Sequence, residues 1–332
     1  MIIPTYRRAN LIGRAIQSII SQTYKDFEII VVDDGSNDNT EETIRSIKDE
    51  RIIYIRHDKN QGAPAARNTG IKAALGNYIA FQDSDDYWHP QKLEKQIKVF
   101  ENSPSEVGVV YTGFFRIVNG IKEYIPYSWV TKKEGDIHKE LLKGNFIALS
   151  SIVVRKECFK KVGLFDERLP RLQDWEFVIR ISKYYSFKFI EEPLLTALFT
   201  PDSLSASEGA RIIALKLILS KHLNGFTEDK ESLIKYYHGM GLYLCLNNEA
   251  AEGESYFAKA FKINPNRRCL SENYFKVGRR LWANGDSKNG KSYIIKAMRT
   301  YPLNVKIIPV TLFLILGSGV YKKLAELYRK IS

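Results

Sequence analysis

IIPTYRRANLIGRAIQSIISQTYKDFEIIVVDDGSNDNT, residues 2–40, reads as strand, helix, strand and turn. Ile2-Ile3 opens the first strand. Ala9–Gln22 spaces Leu11, Ile12, Ala15, Ile16, Ile19 and Ile20 as one apolar helical face. Phe27–Val32 is an apolar run of strand length, stopped by Asp33-Asp34-Gly35-Ser36. Downstream the alternation continues, with a helix predicted at Asn39–Lys48, a strand at Ile52–Ile55, a helix at Ala63–Leu75 and a strand at Tyr78–Phe81. Near-continuous apolar strands alternating with helices predict a doubly wound, mostly parallel α/β sheet covered on both faces. Such sheets bind ligands beyond the carboxyl ends of their strands. Two acidic turns, 33–36 and 83–86, fall there.

Beyond residue 90 the pattern predicts a helix at Gln91–Asn102, strands near Val107–Val118 and Ser150–Val154, and a helix around Asp174–Tyr185, continuing the same sheet. Residues 119–147, polar and aromatic with Tyr124, Tyr127 and Trp129, read as a long loop over the site. From 206 on everything reads as helix. Residues 241–265 and 278–302 match at nine of 25 positions, 37 residues apart, including Gly241/Gly278, Gly253/Gly290, Tyr256/Tyr293, Ala260/Ala297 and Pro265/Pro302. Each copy resembles a tetratricopeptide unit, whose small residues let paired helices approach closely. The expected division is 1–205, 206–305 and 306–332.

Charge is unevenly spread. The chain of 332 residues carries a net +12, but residues 1–200 hold only +2 and residues 201–332 hold +10. A basic tail points to an anionic partner, a lipid surface or nucleic acid. No aromatic-basic interleaving supports nucleic acid. The uncharged stretch 307–321 is short of the roughly 20 residues of a spanning helix. Followed by KKLAELYRKIS, it reads either as a buried helix or as an in-plane membrane anchor. Three widely spaced cysteines (Cys158, Cys245, Cys269) exclude a disulfide framework and a cysteine zinc site, and suit a reducing compartment. MIIPTYRRAN carries no signal-peptide run, so a cytoplasmic enzyme, peripheral on the cytoplasmic face of the membrane, is the expectation.

The chemistry concentrates in the first stretch and in NQGAPAARNTGIKAALGNYIAFQDSDDYWHPQKL, residues 60–93. Asp83-Ser84-Asp85-Asp86, on a turn after a strand, offers the hard oxygen donors that Mg²⁺ or Mn²⁺ prefers. Pro4, Thr5 and Tyr6 follow one strand and Asp33 and Asp34 another, where a carboxylate can accept an imide N–H and a ring can stack on a base. These motifs, in this order and spacing, closely resemble the family 2 glycosyltransferases, with their Rossmann-like GT-A fold, over residues 1 to about 205. The resemblance implies an inverting, metal-dependent transfer of a hexose from a nucleotide sugar, a UDP-sugar foremost, to a glycan or lipid-linked acceptor in surface polysaccharide synthesis. It implies metal ligation by Asp83, Asp85 and Asp86 and nucleoside contact by Pro4, Thr5, Tyr6, Asp33 and Asp34, with Asp34 on uracil. It further implies a diphosphate-side role for Arg67 and Asn68. In LQDWEFVIRI it places the catalytic base at Asp174, with Glu176 as a secondary candidate.

Two departures from the family pattern stand out: Thr200 occupies a position where a histidine is expected, and the first strand is short, as at a truncated or misassigned start. A nucleotidyltransferase, which would lead with a Gly-rich loop near residue 10, is disfavoured by Arg7-Arg8-Ala9-Asn10. A reading of a different class is a protein-binding helical-repeat scaffold with a weak or inactive transferase domain.

Overall fold

In the computed structural model, residues 1–198 and 208–302 are described. β1 (Ile2–Thr5), α1 (Ala9–Ile20), β2 (Ile29–Asp33), α2 (Thr40–Ser46), β3 (Ile52–Arg56) and α3 (Ala63–Ala73) alternate as the apolar periodicity predicts. β1 lies parallel to β2 and β2 to β3, with Thr5 opposite Asp33 and Asp33 opposite Arg56. Every residue of β1 and β2 is buried, which is why both strands read as unbroken apolar runs. α1 buries Ile12, Ala15, Ile16 and Ile19. β4 (Tyr78–Ala80) comes next; the Gln82 N–H donates to the Ile2 carbonyl at 3.0 Å, and a parallel bridge joins Ile2 to Phe81. The carboxyl ends of β1, β2 and β4 therefore converge.

From there the sheet changes character. β5 (Tyr87–Trp88), α4 (Lys92–Glu101), β6 (Val107–Val118), β7 (Ile121–Ile125), α5 (His138–Lys143), β8 (Ile152–Arg155), α6 (Cys158–Val162), α7 (Gln173–Ile181), β9 (Ser186–Leu198) and α8 (Glu208–Lys221) complete the first unit. The strand order is β4-β8-β6-β9-β5 with β7 on the side of β6, and only β6–β9 is parallel. The expected mostly parallel sheet thus holds for the first half alone. Nor is 119–147 one long loop. Asn119 and Gly120 both take positive φ (50° and 77°), the two-residue turn that matches strand twist, and fold β7 back on β6.

The expected boundary at 205 also moves. Met1–Lys221 is one compact unit and the chain from His222 another. α8 belongs to the first because Lys221 Nζ lies 2.8 Å from both Asp166 Oδ2 and Glu176 Oε1.

The second unit contains α9 (Leu223–Glu228), α10 (Lys230–Leu246), α11 (Ala250–Ile263), α12 (Arg267–Ala283) and α13 (Ser287–Thr300). The carboxylates of Asp229 and Asp286 and the side-chain oxygen of Asn266 cap α10, α13 and α12 by accepting first-turn N–H groups. The 37-residue repeat has a structural counterpart. A Cβ on Gly241 would lie 2.9 Å from the Gly253 carbonyl, and one on Gly278 would lie 2.8 Å from the Gly290 carbonyl. Both helix pairs therefore cross at equivalent glycines. Phe257, Val277, Ile294 and Ala297 form the core around them. No described helix is long and apolar enough to cross a membrane. Thr200 and the anchor candidate at 306–332 lie outside the described residues.

Candidate active site

The turn after β2 is built before it can bind anything. Asp33 is fully buried: its Oδ1 accepts the Ser36 N–H at 2.9 Å and its Oδ2 the Tyr54 hydroxyl at 2.8 Å. Gly35 sits at φ 80°, and a Cβ there would approach the Lys59 backbone to 2.9 Å. Both carboxylate oxygens of Asp33 are thus engaged in forming the turn. Asp34 Oδ1 accepts His57 Nδ1 at 2.7 Å and the Gln61 N–H at 2.9 Å, while Oδ2 accepts the Gly62 N–H at 2.7 Å. A carboxylate has about four acceptor positions, so Asp34 retains one, on Oδ2. Holding residues 57–62 at the foot of α3 is its first task.

Of the β1 end, Pro4 and Thr5 are buried, and the Thr5 hydroxyl has no hydrogen-bond partner among the described residues. Tyr6 is half-buried, with the Arg7 guanidinium 5.0 Å from its ring centroid.

Asp83–Asp86 form a tight turn. The Asp86 N–H donates to the Asp83 carbonyl at 3.1 Å, Gln82 Nε2 to the Asp86 carbonyl at 2.7 Å, and the Asp83 N–H to Ser150 Oγ at 3.0 Å. The three carboxylates diverge in role. Asp86 is buried and accepts hydrogen bonds from Ser150 and from the Leu198 N–H. Burial and the charges of Asp83 and Asp85 push its carboxyl well above the usual range. It braces the turn. Asp83 and Asp85 remain at the cleft. Burial, then the negative charge of Asp83, raises the Asp85 carboxyl, and Arg8 and Arg14 oppose this only in part. Two crowded carboxylates are a donor set that a divalent cation suits. Among the described residues no group of three His, Cys, Asp or Glu side chains is placed to hold an ion, so the remaining positions would fall to water and ligand oxygens.

α3 delivers Arg67, 5% exposed, whose Nη2 donates to Asp83 Oδ1 at 2.7 Å. Its Nε and Nη1 are buried without acceptors among the described residues. Asn68, next to it, faces elsewhere. Its Nδ2 donates to the Phe165 carbonyl and to Glu167 Oε1, and its Oδ1 accepts the Phe165 N–H. That amide clamps 165–167.

α7 delivers Asp174 in its first turn, after Leu172 at φ 59°. The residue is half-buried as a whole, its carboxyl turned inward, where Oδ2 accepts Asn145 Nδ2 at 2.8 Å. Desolvation raises its pKa; the Trp175 N–H, the charge of Arg67 and the Asn145 hydrogen bond oppose this, while Asp83 adds to it. The electrostatic reach of Arg67 thus spans both acids. Glu176 points the other way, 0% exposed, in a two-point contact with Arg180 and a third with Lys221. It is a structural charge, which corrects its place as a secondary base. Sequence reasoning missed Asn145, Ser150 and the Arg8–Arg14 pair. The arginines were legible as charge next to a strand end, whereas Asn145 and Ser150 sit in unpatterned sequence.

Residues 1–163 match the family model described as glycosyl transferase family 2. An uncharacterized glycosyltransferase of Methanocaldococcus jannaschii, MJ1057, is 39% identical over 188 residues, 54% of this chain and 63% of that protein. An Escherichia coli protein named UDP-Glc:alpha-D-GlcNAc-diphosphoundecaprenol beta-1,3-glucosyltransferase WfaP is 48% identical over 164 residues, 49% of this chain and 62% of its own length. The chain thus spans somewhat under two thirds of these relatives. Among solved structures, S. aureus TarS in complex with UDP-GlcNAc superposes with a TM-score of 0.62 at 17% identity, covering 88% of this chain and 89% of that one. Mannosyltransferase PcManGT from Pyrobaculum calidifontis, solved with GDP-Man and Mn²⁺, gives 0.55 at 17% identity over 92% and 86%. At such identity the structures speak for the fold alone, a GT-A glycosyltransferase fold with a helical C-terminal part.

Proposed function

We propose that the family 2 glycosyltransferase domain carried by residues 1–163, completed by α7, transfers a hexose from a UDP-sugar, with inversion, to a hydroxyl of a lipid-linked sugar. One observation carries the reading: Asp174, raised by burial, and Asp83 both lie within the electrostatic reach of Arg67, and Asp83 in turn acts on Asp85. A base and an anion-leaving-group site are what such a transfer needs together. Asp174 takes the proton of the acceptor hydroxyl as its oxygen bonds C1 of the donor, and the C1–O bond to the diphosphate breaks on the opposite face. A raised pKa makes Asp174 a stronger base, and the Asn145 hydrogen bond fixes the oxygen it leaves free.

Asp83 and Asp85 would hold the divalent cation, which supplies charge neutralisation to the departing diphosphate. Arg67 keeps Asp83 in place and has two further donors for a neighbouring anion. The vacant acceptor position of Asp34 suits the imide N–H of uracil, and Tyr6 offers a ring to the base. The UDP-sugar donors in the names of WfaP and TarS favour uridine, and the WfaP name favours an acceptor on a lipid diphosphate. The Mn²⁺ in the PcManGT structure favours a metal-dependent reaction. A panel of UDP- and GDP-sugars with Mn²⁺ or Mg²⁺, read by nucleotide release with and without an alkyl-diphosphate-linked N-acetylglucosamine, tests this. Acceptor-dependent UDP release supports it; no release from any donor overturns it.

A further inference from the structure

The segment between β7 and α5 carries a feature that donor binding does not use. Trp129, 38% exposed, is one of eight large hydrophobic side chains left exposed among the described residues. It is nonetheless held on several sides. The Tyr127 ring stacks on it at 6.2 Å and 18°, and Phe146 meets it edge-on at 6.0 Å and 87°. Gly144 lies against its far edge, where an added Cβ would come within 3.4 Å of the indole. Two of its supports, Gly144 and the Phe146 ring, flank Asn145, the residue whose amide reaches Asp174. The open indole is therefore anchored to the same short segment that positions the base.

An indole face carries negative charge at its centre, and the C–H face of a pyranose ring carries the complementary positive edge. A rigid, partly exposed ring also binds at low cost in side-chain entropy. We propose that Trp129, backed by Tyr127 and Phe146, is the platform on which the acceptor sugar stacks while Asp174 addresses its hydroxyl. This rests on the glycosyltransferase reading and names the part of the substrate that meets this wall: a hexose ring of the acceptor, not the donor nucleotide.

Calorimetric titration of alkyl-diphosphate-linked N-acetylglucosamine into the full chain, preloaded with UDP and Mn²⁺, reads the contact directly. Trp129→Leu keeps apolar bulk against Gly144 but removes the ring; Trp129→Phe keeps a ring. Loss of one stacking contact predicts acceptor Kd weakened about threefold to tenfold in Trp129→Leu. The same probe should bind Trp129→Phe within about threefold of wild type, with UDP affinity moved in neither variant. Equal acceptor Kd in wild type and Trp129→Leu overturns the platform, as does a parallel loss of UDP affinity or an absence of acceptor binding to wild type. Turnover of UDP-sugars by the wild-type chain is read separately. Acceptor binding without turnover would sink the catalytic reading while leaving this surface standing.

Discussion

Asp174→Asn separates the role of this residue in chemistry from its role in the fold. The amide is isosteric, and its oxygen can still accept from Asn145 Nδ2, which lies 2.8 Å from the carboxylate. What disappears is the lone pair that takes the acceptor proton. General-base removal costs about 10²–10⁴ in rate, or roughly 3–5 kcal/mol of barrier. The structure adds a second expectation of opposite sign. Burial holds this carboxyl above its ordinary 3.8, so folding favours the protonated acid. The wild-type chain gains a penalty as pH rises from the unfolded value through the folded one, and carries it in full above. Asparagine never ionises and escapes it. Asp174→Asn should therefore melt no lower than wild type at pH 7 while kcat falls at least about 100-fold and UDP affinity holds. The acid limb of the wild-type rate profile, lying above pH 3.8, should vanish from whatever activity remains. Steady-state kinetics, UDP titration and thermal melts from pH 4 to 8 make the comparison. A kcat within tenfold of wild type, or a parallel loss of UDP binding, would refute the base assignment.

Other substitutions sort the remaining acids. Asp83→Asn leaves an acceptor for Arg67 but removes the negative charge, so turnover should fall and the Mn²⁺ concentration for half-activity should rise; an unchanged metal titration would remove Asp83 from the cation site. Glu176→Gln breaks a buried cluster with Arg180 and Lys221, a loss of about 3–5 kcal/mol. Its melting temperature should drop sharply while the folded fraction keeps kcat within about threefold, and the reverse pattern would return Glu176 to the active site. Gly253→Ala places a Cβ 2.5 Å from Cys245 Sγ and 2.8 Å from the Gly241 carbonyl, an overpacking cost of about 1–3 kcal/mol. Hydrogen exchange should show lost protection in α10 and α11 with α1 to α7 unaffected.

Where the fold was legible, one signal decided it. Fully buried strands leave no room for polar alternation, so β1 and β2 announced themselves, and glycine close to glycine at a fixed 37-residue offset announced the helix pairs. The antiparallel half was hidden because its decisive cue is two residues long. Asn119-Gly120 is a turn that dictates a hairpin, yet it sits among charged and aromatic residues that read as loop. The boundary at 221 was invisible for a related reason: it depends on Lys221 meeting Asp166 and Glu176, contacts with no spacing rule.

The acids show why a motif locates a site more sharply than it assigns its parts. Asp33 and Asp34 are neighbours, as are Asp85 and Asp86, and composition treats each pair alike. On a turn, however, successive side chains point in different directions, and a buried carboxylate must find donors. Asp33 finds Ser36 and Tyr54, and Asp86 finds Ser150 and the Leu198 N–H. Each thereby braces the turn that carries its neighbour, Asp34 or Asp85. Asn68 beside Arg67 and Glu176 beyond Asp174 repeat the arrangement on helices: the first clamps 165–167, and the second ties α7 to α8. Half of the motif residues are thus the scaffold that pre-organises the other half. A substitution in either set would lower the measured activity, one through the folded fraction and the other through turnover, so only a readout of folding alongside turnover tells the two apart.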